Sequence, residues 1–130
     1  MARSSAPVSV LVVEDEVMIS NLVADCLAAS GFAVHEVTTA DQALRYLNSG
    51  ANVDVLFTDI NLPGHMSGVD LAVRVRELRP EMPIVYASGR YKLSEISPLV
   101  PRSLFMAKPY DPDDVCALLT RLTGAGGAPA

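Results

Sequence analysis

Five polar residues each follow directly on a short apolar, β-rich run: Glu14 and Asp15, then Asp59, Ser88 and Lys108. Three acids, a hydroxyl and an ammonium form a reactive set if the fold brings those run ends together. Carboxylates about 5 Å apart repel by roughly 3 kcal/mol per pair at an effective dielectric near 20, so the cluster needs an offsetting charge. A hard divalent cation supplies it, and an all-oxygen donor set suits Mg²⁺. Zn²⁺ is disfavoured, because His35 and His65 are not spaced with Cys26 and Cys116 as a ligand set. Taken singly, each acid also fits a helix N-cap. Capping alone does not explain five such residues at five matching positions.

The elements that must position them read as follows. Val8 to Val13, Ala33 to Val37, Val53 to Thr58, Ile84 to Ala87 and Leu104 to Ala107 are short, nearly continuous apolar runs, the pattern of strands covered on both faces. Between them the period changes to 3.6. Ile19, Leu22, Val23, Cys26 and Leu27 mark one helix, stopped by Gly31; Ala40, Ala43, Leu44 and Leu47 a second, with Gly50 beyond; Leu71, Ala72, Val75 and Leu78 a third, ended by Pro80. Val115, Leu118, Leu119 and Leu122 mark the last, with Asp111 as N-cap and Pro112 at N1. The interval between the fourth and fifth runs holds Pro98 and Pro101, which restrict any helix there to about residues 92 to 97. Alternating strands and helices joined by right-handed crossovers give an α/β fold, a doubly wound (βα)5 parallel sheet in the order 2-1-3-4-5. In that order the first and third strands are neighbours at the switch point, where such sheets place their sites.

The composition bounds the rest. The chain has 130 residues, a net charge of −5 and a hydrophobic fraction of one half, enough for one domain with a real core. An acidic balance without a Lys/Arg stripe argues against nucleic-acid or anionic-membrane binding. No apolar run approaches the roughly 20 residues that span a bilayer, and no signal peptide is legible, so a cytoplasmic location is expected. Cys26 and Cys116 sit in helical patterns without CxxC spacing and are read as buried free thiols. Residues 1–7 are expected to be a disordered arm, 8–123 the folded domain and 124–130 a flexible tail.

Val12-Val13-Glu14-Asp15-Glu16, Thr58-Asp59-Ile60-Asn61-Leu62-Pro63-Gly64, Ala87-Ser88-Gly89 and Lys108-Pro109, in that order on a fivefold βα pattern, resemble the receiver domain of bacterial two-component response regulators. The resemblance runs from about Val8 to Leu122 and is to the stand-alone type, with a flavodoxin-like fold. It implies that Asp59 accepts a phosphoryl group from a histidine kinase or a histidine phosphotransfer protein. It further implies that Asp15, Asp59 and the backbone carbonyl of Asn61 hold Mg²⁺, with Glu14 acting through metal-bound water. Lys108 and Ser88 would contact phosphoryl oxygens, and Lys108-Pro109 would be a cis peptide. Ser88, drawn toward the new charge, would couple to the aromatic Phe105 as a switch in protein contacts. The chain would then be no enzyme beyond self-phosphorylation and autodephosphorylation, and a monomer or weak homodimer.

The sequence departs from that pattern in places. His65 lengthens the loop after Asp59 by one residue, and Tyr86-Ala87-Ser88-Gly89-Arg90-Tyr91 only partly matches a signature of some single-domain receivers. His65 is read as solvent-facing and His35 as structural. Arg90 and Asn61 are placed to affect water access to the site. Two other classes are weighed. An aspartate-nucleophile phosphatase of the haloacid dehalogenase type wants a second Asp where Asn61 stands. A flavodoxin-like cofactor binder needs a glycine- and hydroxyl-rich loop where Glu14, Asp15 and Glu16 would repel phosphate.

Overall fold

In the computed structural model, which describes residues 7–89 and 102–124, five parallel strands form one sheet in the order β2-β1-β3-β4-β5. The strands are β1 (Ser9–Val13), β2 (Ala33–Val37), β3 (Val55–Asp59), β4 (Ile84–Ser88) and β5 (Ser103–Ala107). The described helices are α1 (Val17–Ala29), α2 (Ala40–Asn48), α3 (Gly68–Leu78) and α4 (Pro112–Thr123). The short helix expected near 92–97, with Arg90, Tyr91, Pro98 and Pro101, lies outside the described residues.

Alternation along the strands divides the core into two layers. Leu11, Val13, Leu56, Ile84 and Tyr86 face one side and pack with Ala40, Ala43 and Leu47 of α2 and Leu71, Ala72 and Val75 of α3. Val10, Val12, Val55, Phe57 and Val85 face the other and pack with Val23 and Leu27 of α1 and Val115, Cys116 and Leu119 of α4. Each such aliphatic side chain, once buried, contributes roughly 1.5 to 3 kcal/mol. The central strands β3 and β4 are buried at every position. The reading of all five strands as covered on both faces fails at β2, where His35 and Glu36 are exposed, and at β5, where Leu104 and Ala107 are exposed. An edge strand lacks a neighbour on one side, so its burial depends on its place in the sheet, which a local apolar run does not encode.

The helix ends follow capping chemistry. Asp111 caps α4 through Asp113 N–H, with Pro112 opening the helix. Thr39 caps α2, and Ser67 with Asp70 forms a reciprocal capping box on α3. Gly31 and Gly50 adopt positive φ just past α1 and α2. β2 has the expected bounds, and the other strands differ from theirs by one or two residues at an end. Asp59 pairs with Ala87 and Ser88 with Ala107, so both are the last residues of their strands rather than the first of the following loops.

Candidate functional site

The carboxyl ends of β1, β3, β4 and β5 deliver Glu14, Asp59, Ser88 and Lys108 to one rim of the sheet, because parallel strands in register end at the same level. Lys108 follows β5, and its backbone N–H donates to Ser88 O at 3.0 Å, extending the ladder to the site. Its ammonium donates to Glu14 Oε1 at 2.9 Å and to Asp59 Oδ2 at 3.0 Å, with Glu16 Oε1 farther off at 3.9 Å. Glu14, Asp59 and Ser88 are all buried, at 2%, 6% and 1% exposure. Asp15 is exposed at the same rim, and carboxylate oxygens of Glu14, Asp15 and Asp59 lie within 4.8 Å of one another.

These acids do not cap helices. The N-cap of α1 is Glu16, whose side chain makes no capping bond, while Glu14 Oε2 accepts from Glu16 N–H at 3.1 Å. Asp59 Oδ1 accepts from Asn61 N–H at 3.3 Å, well ahead of the Ser67 cap of α3. The capping alternative therefore loses its geometric basis.

The charges are unbalanced. Burial pushes the Glu14 carboxyl above its ordinary range; hydrogen bonds from Lys108 and Glu16 pull it down, and the Asp59 charge pushes it up again. Burial alone would lower the Lys108 pKa, but its hydrogen bonds to Glu14 and Asp59 outweigh it and hold the ammonium firmly charged. One ammonium thus faces two buried carboxylates and a third nearby. All-oxygen donors with surplus negative charge fit a hard divalent cation.

Three neighbours complete the site; of these the sequence pointed only to Gly89, as part of the Ala87-Ser88-Gly89 motif, and gave no site role to Gly68 or Tyr110. Gly68 opens α3 with its N–H on Ile60 O at 2.8 Å, and a Cβ there would lie 2.0 Å from the Asp59 carbonyl oxygen. Its position directly after the Ser67 cap was the available signal. Gly89 faces Lys108, whose Cβ a side chain at 89 would meet at 3.3 Å. Tyr110 packs edge-on against Phe57, and burial first, then the charge of Glu14, pushes its phenol up to about 12.

The remaining candidates fall as follows. The Lys108–Pro109 peptide is cis. Phe105 lies on β5 opposite Tyr86, half-buried against the α2/α3 layer. His65 is exposed and lines a depression of about 460 Å³ with Asp15, Asn61 and Asp70. His35 stacks on Tyr46, with centroids 3.7 Å apart, on the outer strand β2. Cys26 and Cys116 are free but adjacent, and Cys26 is only half-buried.

Comparison with known proteins identifies the family and the fold. The family model for the response regulator receiver domain matches residues 10–120. The sensory transduction protein RegX3 of Mycobacterium tuberculosis is 32% identical over 123 residues, 92% of this chain and 52% of that protein. The nitrogen assimilation regulatory protein NtrX of Azorhizobium caulinodans is 30% identical over 86% of this chain and 25% of its own length. The chain thus spans about half or less of these relatives. A response regulator receiver protein from Sinorhizobium medicae superimposes with a TM-score of 0.85 at 33% identity, covering 94% of this chain and 98% of that one. No helix among the described residues is long and apolar enough to cross a membrane.

Proposed function

The chain belongs to the response regulator receiver family, and we propose that residues 8–123 form the receiver unit, with Asp59 as its phosphoacceptor, Lys108 as its charge partner and Mg²⁺ as its cofactor. The observation that carries the reading is the forked contact of Lys108 with Glu14 and Asp59, at 2.9 and 3.0 Å on the floor of the rim. It supports a nucleophilic carboxylate whose surroundings are organised for incoming charge.

An Asp59 carboxylate oxygen attacks the phosphorus of a phosphohistidine, on a histidine kinase or phosphotransfer protein. The new P–O bond forms as the P–N bond breaks, and the imidazole nitrogen keeps the electron pair. When bound, Mg²⁺ would supply positive charge against the transferring phosphoryl group. Asp15, Asp59 and the Asn61 carbonyl are its proposed ligands, with Glu14 acting through water. Asn61 N–H orients the Asp59 carboxylate through Oδ1. Lys108 moves from sharing two carboxylates to facing the phosphoryl group, and Ser88, at the end of β4, donates to a second phosphoryl oxygen. Phosphorylation adds about −1.5 to −2 charges there. The Ser88 shift and Phe105, beside Tyr86 on the neighbouring strand, carry the change to protein contacts, and the chain acts in the cytoplasm.

The test is incubation with acetyl phosphate and Mg²⁺, read by intact mass. The expected result is one acid-stable, base-labile phosphoryl increment, lost in Asp59→Ala. An increment that persists in Asp59→Ala, or phosphate release over many turnovers without a retained increment, overturns the assignment.

A further inference from the structure

Away from the acidic rim, α1 and α4 bring together two side chains 90 residues apart in the chain. Cys26 Sγ and Cys116 Sγ lie 2.9 Å from each other, less than an ångström beyond the S–S bond length of about 2.05 Å. Both helices are anchored here: Val23 and Leu27 of α1 and Val115 and Leu119 of α4 are buried in the same layer. The sulfurs are therefore neighbours by packing between rigid elements. Cys116 S–H donates to Cys26 Sγ, and Cys26 S–H donates to Asp113 Oδ1 at 3.3 Å. Cys26 is half-buried and Cys116 buried, which makes Cys26 the thiol that meets a reagent from solvent.

We propose that Cys26 and Cys116 form a reversible dithiol–disulfide pair that cross-links α1 to α4. The oxidant class is a small-molecule disulfide, such as oxidised glutathione. Cys26 loses its proton to solvent, and the thiolate attacks one sulfur of the reagent. The reagent's S–S bond breaks, its other half leaves as a thiolate and takes up a proton, and Cys26 carries a mixed disulfide. Cys116 then loses its proton and attacks Cys26 Sγ, expelling the second glutathione thiolate, which is protonated in turn. Two protein thiols are oxidised, and one glutathione disulfide is reduced to two thiols. Excess thiol reverses both steps.

Geometry and electrostatics act on different quantities. Adjacency in the folded state favours the intramolecular disulfide over mixed adducts, so it sets the equilibrium. The Cys116 hydrogen bond, partial burial and the Asp113 carboxylate push the Cys26 thiol up to about 12, which keeps the thiolate scarce at neutral pH and slows the reaction. The pair thus responds to sustained oxidising conditions. Its cross-link has a structural target, because both helices leave the acidic rim. α1 begins two residues after Asp15, and α4 begins four residues after Lys108.

The experiment uses the full chain at graded ratios of oxidised to reduced glutathione, quenched by N-ethylmaleimide and read by intact mass and non-reducing electrophoresis. Expected is a monomer lighter by two hydrogens, without glutathione or maleimide adducts, restored by dithiothreitol. Cys116→Ser should instead stop at one glutathione on Cys26. Asp113→Asn should reach the same end point several-fold faster, and an unchanged or slower rate would remove Asp113 as the brake. Wild-type protein that accumulates stable glutathione adducts, forms disulfide dimers, or keeps both thiols open to maleimide at ratios that fully oxidise a reference CxxC peptide overturns the proposal; none of these outcomes depends on a variant folding.

Discussion

The acidic rim and the thiol pair are both close gatherings of reactive side chains, and they are held together by opposite balances. At the rim, Glu14 and Asp59 are buried with one ammonium between them, so the sheet enforces an arrangement that charge repulsion opposes. Between α1 and α4, two neutral thiols sit in an apolar layer where packing alone brings them together. The first gathering lacks positive charge, and the proposed function has it answer to cations and phosphoryl groups. The second lacks nothing electrostatically and responds only to an electron acceptor. Two regions that answer to different reagents should also be separable by substitution.

The largest expected separation comes from Gly68→Ala. The added methyl would sit 2.0 Å from the Asp59 carbonyl oxygen and 2.9 Å from Ile60 Cα, so backbone must move. A loss of about 3 kcal/mol in urea unfolding is expected, at the upper end of overpacking effects. The disturbance enters at the end of β3, while the thiols lie between α1 and α4. Disulfide formation in the folded variant should keep its wild-type rate; a matching fall in that rate would show that the two regions move as one unit.

Lys108→Ala comes next. Removing the ammonium leaves Glu14 and Asp59 facing each other without their partner, and breaking such a pair costs several kcal/mol when fully buried. The Lys108 side chain retains 17% exposure, which reduces the expected loss to about 2 kcal/mol. Millimolar Mg²⁺ should restore more stability to this variant than to wild type, because the cation replaces the missing charge. Cys26→Ser under reducing conditions should lose less than about 1 kcal/mol and gain nothing from Mg²⁺ beyond the wild-type response. Urea midpoints with and without Mg²⁺ decide this, and equal Mg²⁺ gains in wild type and Lys108→Ala would mean that the ammonium does not stand where a cation would act.

The same contrast explains what the sequence made legible. Glu14, Asp15, Asp59, Ser88 and Lys108 announce themselves because each closes an apolar run, and a parallel sheet aligns run ends automatically. Asp111-Pro112 and Gly31 are equally local signals, since a cap is satisfied within a turn of its own residue. The Cys26–Cys116 contact depends on how two helices 90 residues apart cross over one face of the sheet, and no local spacing carries that information. Gly68 was missed for a related reason: its need for a bare Cα comes from the backbone of β3, met only after the loop has folded back. The exposure of His35 and Glu36 follows from the rank of β2 at the sheet edge, and rank is a property of the whole topology.

The remaining predicted effect is an increase in stability. Glu14 has its folded-state pKa raised above the ordinary 4.5, chiefly by burial, so its ionised form is less favoured in the folded than in the unfolded chain. At pH 7, with divalent cations chelated, that ionisation subtracts stability; the penalty lifts as pH falls through the raised value toward the unfolded one. Glu14→Gln removes the charge and keeps one carbonyl oxygen, which can accept from Lys108 or from Glu16 N–H but not from both. The relieved charge penalty, less the lost hydrogen bond, should leave a gain of under about 1 kcal/mol at pH 7. The gain should shrink steadily toward pH 4, where wild-type Glu14 is itself neutral. Urea midpoints of both proteins across that interval measure the difference directly. A gain that is flat with pH would assign it to packing rather than charge, and would weaken the view that the rim is held against its own repulsion. The thiol pair supplies the control: its oxidation rate should be the same in both proteins, since none of the groups displacing the Cys26 pKa belongs to the rim.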